Sequence, residues 1–152
     1  MLYQSAVERS LSDDELWLAF GASQLPAQDW THRAHLRVAW LFLQRHPLDE
    51  AHLLMRVGII RLNASHGLVE TPSRGYHDTL TRLWLTLIAS LMPRSPDAPS
   101  SDAFIDRHAG ALGKEAVLRH YSRERLASVQ ARAMVVEPDL EPLPTAPAGS
   151  SG

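Results

Sequence analysis

The chain has 152 residues, enough for one domain with a packed core, and its 45% apolar and 21% charged residues are ordinary for a globular protein. A formal net charge of -2 supplies no long-range field for nucleic acid or an anionic membrane, so neither is expected as a partner. The lack of cysteine excludes disulfides, thiolate metal sites and cysteine nucleophiles. The first residues have no basic start and no apolar run, and the apolar stretches are broken by Arg and His; a cytoplasmic protein without signal peptide or membrane span is expected.

In chain order, the first helix is expected to start at Ser12. Ser12-x-x-Glu15 is a capping box, Leu16, Trp17 and Phe20 give an apolar face, and Gly21 is a stop. The second runs from about Thr31 to His46, capped by Asp29 or Thr31 and ended by Pro47. Its period puts Arg33, Arg37 and Gln44 on a solvated side and His35, Val38, Ala39 and Phe42 on a buried one. The third spans about Leu48 to Ser65, with Gly67 at C′ and a core face of Ala51, Leu54, Met55, Gly58 and Leu62. The fourth spans about Tyr76 to Met92; Leu80, Trp84, Leu87, Ile88, Leu91 and His77 face inward, while Asp78, Arg82 and Ser90 point away. Short helices follow from Ser101 or Asp102 to Ala111, from Lys114 to Tyr121 and from Arg123 to Leu126. The chain reads as extended after Val135. No alternating run predicts a sheet. The expectation is an all-α, single-domain bundle of four main helices plus short C-terminal helices over residues 1–141, with a disordered Pro/Ala/Gly/Ser-rich tail over 142–152.

Up-down-up connectivity brings the start of the second helix, the end of the third and the start of the fourth to one end of the bundle. His32, His35, His66 and His77 lie at those ends, whereas His46 and His52 fall at the opposite end. Inward imidazoles need hydrogen-bond partners or a metal. His32 and His35, three apart on a helix, can ligate one ion, and His77 supplies a third ligand. A divalent Zn, Fe, Ni or Cu ion suits such a donor set. His66 is then a fourth ligand or general base. Glu70 and Asp78 are the proton-transfer or supporting carboxylates, and Trp30, Arg74 and Tyr76 are the groups that contact substrate. A single inward histidine is more often a satisfied core residue, so a purely structural role competes with this one.

Trp30-Thr31-His32-x-x-His35-Leu36, Asn63-x-x-His66-Gly67 and Gly75-Tyr76-His77-x-Thr79 together resemble a family of small bacterial proteins known mainly as uncharacterised sequences. The closing residues, His120-Tyr121-Ser122 and Glu137-Pro138-Asp139-Leu140, are similar to that family too. The resemblance covers about Ser12 to Leu143 and implies a self-contained domain, but no reaction. From the residues themselves, the expected function is a metal-dependent enzyme acting on a small-molecule substrate, by hydrolysis or hydration or by metal-oxygen chemistry. The alternative is a non-catalytic helical ligand-binding or protein-interaction module with structural histidines. A homodimer is open under either reading.

Overall fold

Eight α-helices and three short 3-10 turns make up the computed structural model, which describes residues 10–145. Residues 1–9 and 146–152, where the expectations about a signal peptide and most of the disordered tail fall, lie outside the described residues. The helices are α1 (Asp13–Gly21), α2 (His32–Leu43), α3 (Leu48–Ser65), α4 (Asp78–Leu91), α5 (Ser101–Arg107), α6 (Val117–His120), α7 (Arg123–Leu126) and α8 (Val129–Ala133). The fold is all-α. The one β feature among the described residues is an isolated bridge, Thr71 to Arg74. No described helix is long and apolar enough to cross a membrane.

Local chemistry sets most of the helix ends. Ser12 and Glu15 form the reciprocal capping box at the start of α1. Thr31 caps α2, Ser100 caps α5, and Ser122 and Ser128 cap α7 and α8, each accepting a backbone N–H of the first turn. At the end of α3 the Leu68 N–H reaches the Asn63 carbonyl at 2.9 Å and the Gly67 N–H reaches Ala64 at 3.0 Å. This is a Schellman closure. Gly67 takes φ +77° there, a conformation that a Cβ would strain. Three ends differ from expectation, one of them that of α5, which stops at Arg107 with His108 as its C-cap rather than running to Ala111. α2 stops at Leu43, before His46, because the chain turns ahead of Pro47, the N-cap of α3. α4 begins at Asp78, so His77 is its N-cap and not a member of its buried stripe.

α4 packs against α2, α3 and α8, and its buried Leu83, Trp84, Leu85, Leu87 and Ile88 form the centre of the core. Ala51, Met55, Ile59 and Leu62 of α3 face it. Phe20 of α1 lies over Gly58, where an added Cβ would come within 2.4 Å of its ring, so glycine is what lets α1 sit on α3. Leu54, expected in the core, faces outward: on a helix wheel it falls with Glu50, Val57 and Arg61, opposite Met55 and Ile59.

Two other assignments are corrected by packing. Arg37 is buried rather than solvated, because α5 and the residues before α1 cover that side of α2. Asp78 is buried rather than pointing away, because α3 covers it with His52 and Arg56. The closing segment is also more ordered than its composition suggests. The Leu140 and Glu141 N–H groups donate to the His120 and Arg119 carbonyls, and Leu143, placed in the tail by composition, packs against the core.

Candidate functional site

The start of α4 is a point where segments some fifty residues apart in the chain converge. The Thr79 hydroxyl, fully buried, donates to the Ala131 carbonyl at 2.7 Å and accepts from the Val136 N–H at 3.2 Å. The Arg132 guanidinium of α8 donates to the Gly75 carbonyl at 2.9 Å. Gly75 itself has φ +107°, and a Cβ there would meet the Glu70 carboxylate at 2.2 Å. Glu70 accepts from the Tyr76 N–H at 2.6 Å and from the Asn63 side chain at 3.1 Å, so it closes the loop between α3 and α4 onto the last turn of α3.

His77 is held at both ring nitrogens. Nδ1 accepts from the Leu80 N–H at 3.1 Å, capping α4, and Nε2 donates to the Leu126 carbonyl at 2.8 Å. A carbonyl can only accept, so the proton is on Nε2. Burial lowers the His77 pKa, the nearby Arg132 charge adds to this, and the bond to Leu126 opposes it.

The other predicted ligands go elsewhere. His32 Nε2 donates to the Leu112 carbonyl at 2.8 Å, and its ring meets Trp84 edge-on at 4.8 Å. His66 Nε2 donates to the Leu25 carbonyl at 2.8 Å. His35 stacks on Trp30 with ring centroids 5.1 Å apart and planes at 18°, and its Nε2 is buried without a partner. Burial, with some repulsion from His32, lowers its pKa to about 4.

The expected meeting of helix ends gives way to an offset. Asp78 lies beside His52 and Arg56, so α4 starts about 14 Å short of the end of α3 at ~1.5 Å per residue. His66 and His77 are thereby carried to different neighbours, and His52 reaches the start of α4 rather than an opposite end. Among the described residues no group of three or more His, Asp or Glu side chains could hold a metal ion. The proposed triad does not fit a metal centre. His77 has no free nitrogen, and His32 can use only the one that does not bond Leu112.

Of the predicted catalytic and substrate groups, the structure does bring Tyr76 and Asp78 together. Asp78 Oδ1 accepts from the Tyr76 hydroxyl and from His52 Nε2, each at 2.8 Å, and pairs with Arg56 at 3.2 Å. Burial would raise the Asp78 pKa, but these donors outweigh it and the net shift is downward. Burial raises the Tyr76 hydroxyl, and the Asp78 charge adds to that shift. On the other ring nitrogen of His52, Arg82 approaches Nδ1 at 3.5 Å, and Arg82 pairs in turn with Asp49 at 2.8 Å. His52 and the two arginines were not singled out from the sequence. The available signal is weak: helix position alone does not reveal the offset that faces them toward Asp78. Arg74 is exposed and lines a shallow groove with His66, Leu68, Val69 and Thr71, away from Tyr76 and Asp78. Glu70 serves the loop rather than a substrate position.

The remaining motif residues make similar ties. His120 Nδ1 bonds the Glu141 carbonyl at 2.8 Å, the buried Tyr121 hydroxyl donates to Val136 at 2.7 Å, and Asp139 accepts from the Ser122 N–H and hydroxyl at 2.9 and 2.6 Å. The chain matches no family model, no curated protein and no solved structure.

Proposed function

We propose that this chain is a non-catalytic helical interaction module in which the histidines are struts between sequence-distant segments. One observation carries the reading: apart from His35, whose Nε2 makes no hydrogen bond, the histidine and threonine side chains of its four motifs are consumed in ties to the backbone. Thr31 caps a helix, His32 holds Leu112, His66 holds Leu25, His77 holds Leu126, Thr79 holds Ala131 and His120 holds Glu141. Buried polar groups so satisfied specify one packing arrangement and leave few lone pairs for a ligand. The His52–Asp78–Tyr76 cluster fits the same role, since it clasps α3 to α4 with its hydrogen bonds already made.

The test is metal analysis of untagged protein, with His35→Ala and His77→Ala alongside. The expected result is no stoichiometric divalent ion in any of the three, with His77→Ala less stable to heat. One ion per chain, lost in both variants, would overturn this reading in favour of a metal-dependent enzyme.

A further inference from the structure

We infer that the outer face of α3 is a homodimer seam in which two copies of the helix pair antiparallel. This names the partner for the interaction-module reading and rests on it. α3 has two apolar faces, and only one is covered among the described residues. Ala51, Met55, Ile59 and Leu62 are in the core, while Leu53, Leu54 and Val57 are 64%, 38% and 48% exposed on the opposite side. At 100° per residue, Glu50, Leu54, Val57, Arg61 and Ala64 fall within one stripe, bordered on one side by Leu53 and the half-buried Ile60.

The charges on that stripe choose the occupant and its direction. Glu50 stands at the N-terminal end and Arg61 at the C-terminal end, about 16 Å apart at ~1.5 Å per residue. The apolar pair Leu54 and Val57 lies centred between them. A two-fold axis through that centre, perpendicular to the helices, sets Glu50 of each copy beside Arg61 of the other and Leu54 beside Val57. The contact is therefore self-complementary and closes as a dimer. A parallel pairing would put Glu50 on Glu50 and Arg61 on Arg61. The two charges are available for this. Arg61 makes no ion pair or hydrogen bond among the described residues, and His46 engages only one Glu50 carboxylate oxygen. The neighbouring charges on the flanks are already taken within the chain: Asp49 by Arg82 and Arg56 by Asp78.

The chain has no cysteine, which makes the register directly readable. Sedimentation equilibrium of the full chain is expected to give a dimer, weakened about tenfold by Glu50→Arg or Arg61→Glu alone and restored when both are combined. Leu54→Glu should give a folded monomer whose melting temperature no longer rises with protein concentration, as that of the wild-type dimer does. An equimolar mixture of Leu54→Cys and Val57→Cys chains, oxidised after exchange, should cross-link as the mixed pair in preference to either like pair. A wild-type monomer, a dimer indifferent to these charge changes, or preferential like-with-like cross-linking would overturn the seam. A monomer that also binds no metal would sink the dimer without restoring the metal enzyme, so the two failures are separable.

Discussion

Arg37 and His35 stand two residues apart on α2 and are turned to opposite sides of it. The Arg37 side is a filled polar pocket: its guanidinium donates to the Ser101 hydroxyl and the Leu11 carbonyl, each at 2.7 Å, and pairs with Asp13 at 3.1 Å. Asp13 also accepts from the Ser101 N–H at 2.9 Å. The His35 side is aromatic, with Trp30 stacked on the ring and Nε2 left without a partner. The charged group is the better accommodated of the two. A charge brought inside must recruit partners from several segments. A neutral ring can be sealed in at the smaller cost of one unmade hydrogen bond.

The largest effect of a single substitution is expected at Arg37. Arg37→Ala leaves Asp13 and Ser101 facing a void. A loss of about 3–5 kcal/mol in urea unfolding is expected, the usual cost of removing one partner of a buried pair. A loss below about 1 kcal/mol would mean that the pocket is wet and the pair screened.

Acid sharpens the contrast. The folded pKa of His35 is about 4 against an ordinary 6.5, so the unfolded chain binds the extra proton first. The stability linked to it is complete above pH 6.5 and falls as pH drops toward 4, by at most about 3 kcal/mol. The lowered His77 and His108 act in the same direction. Asp13 behaves differently in range. Burial opposes its ionisation, yet Ser101 and Arg37 bring its pKa below 3.8, so its contribution is lost only at still lower pH. His35→Phe should flatten the upper part of the acid profile and leave the lower part intact. An unchanged upper slope would assign it to His77 and His108.

The smallest expected effect is at the satisfied histidine. His77→Ala removes an N-cap and the bond to Leu126 and should cost about 1–2 kcal/mol by thermal melting. His77→Asn should recover the cap but not the tie, and so fall between the two.

Local signals in the sequence were read correctly where the chemistry is local. The capping box at Ser12, the cap at Thr31 and the glycine closure at Gly67 each need only a few neighbouring residues. Periodicity located the four main helices and most of the core, but placed Leu54 inside. A helix with apolar residues on two faces does not say which one is covered. Arg37 and Asp78 were misplaced for the same kind of reason. Their burial is decided by α5 and α3, which meet them through tertiary packing that no local pattern encodes. α8, Val129–Ala133, goes beyond the sequence expectation, although Ser128 caps it just as Ser122 caps α7. The histidine motifs stand out in the sequence. What the sequence could not give is the partner of each ring, since the carbonyls of Leu25, Leu112 and Leu126 carry no side-chain signature.

Tyr121 donates to the carbonyl of Val136, Ser122 is held by Asp139, and His120 by Glu141. The later member of each pair is translated after the earlier one. During synthesis the helices can assemble from the N-terminal side, and Leu126, Ala131 and Arg132 can already hold the base of α4, but the bonds to α6 and the second bond to Thr79 wait for the closing segment. A chain truncated before residue 136 would therefore keep the residues of all eight helices and lose every tie made by the closing segment.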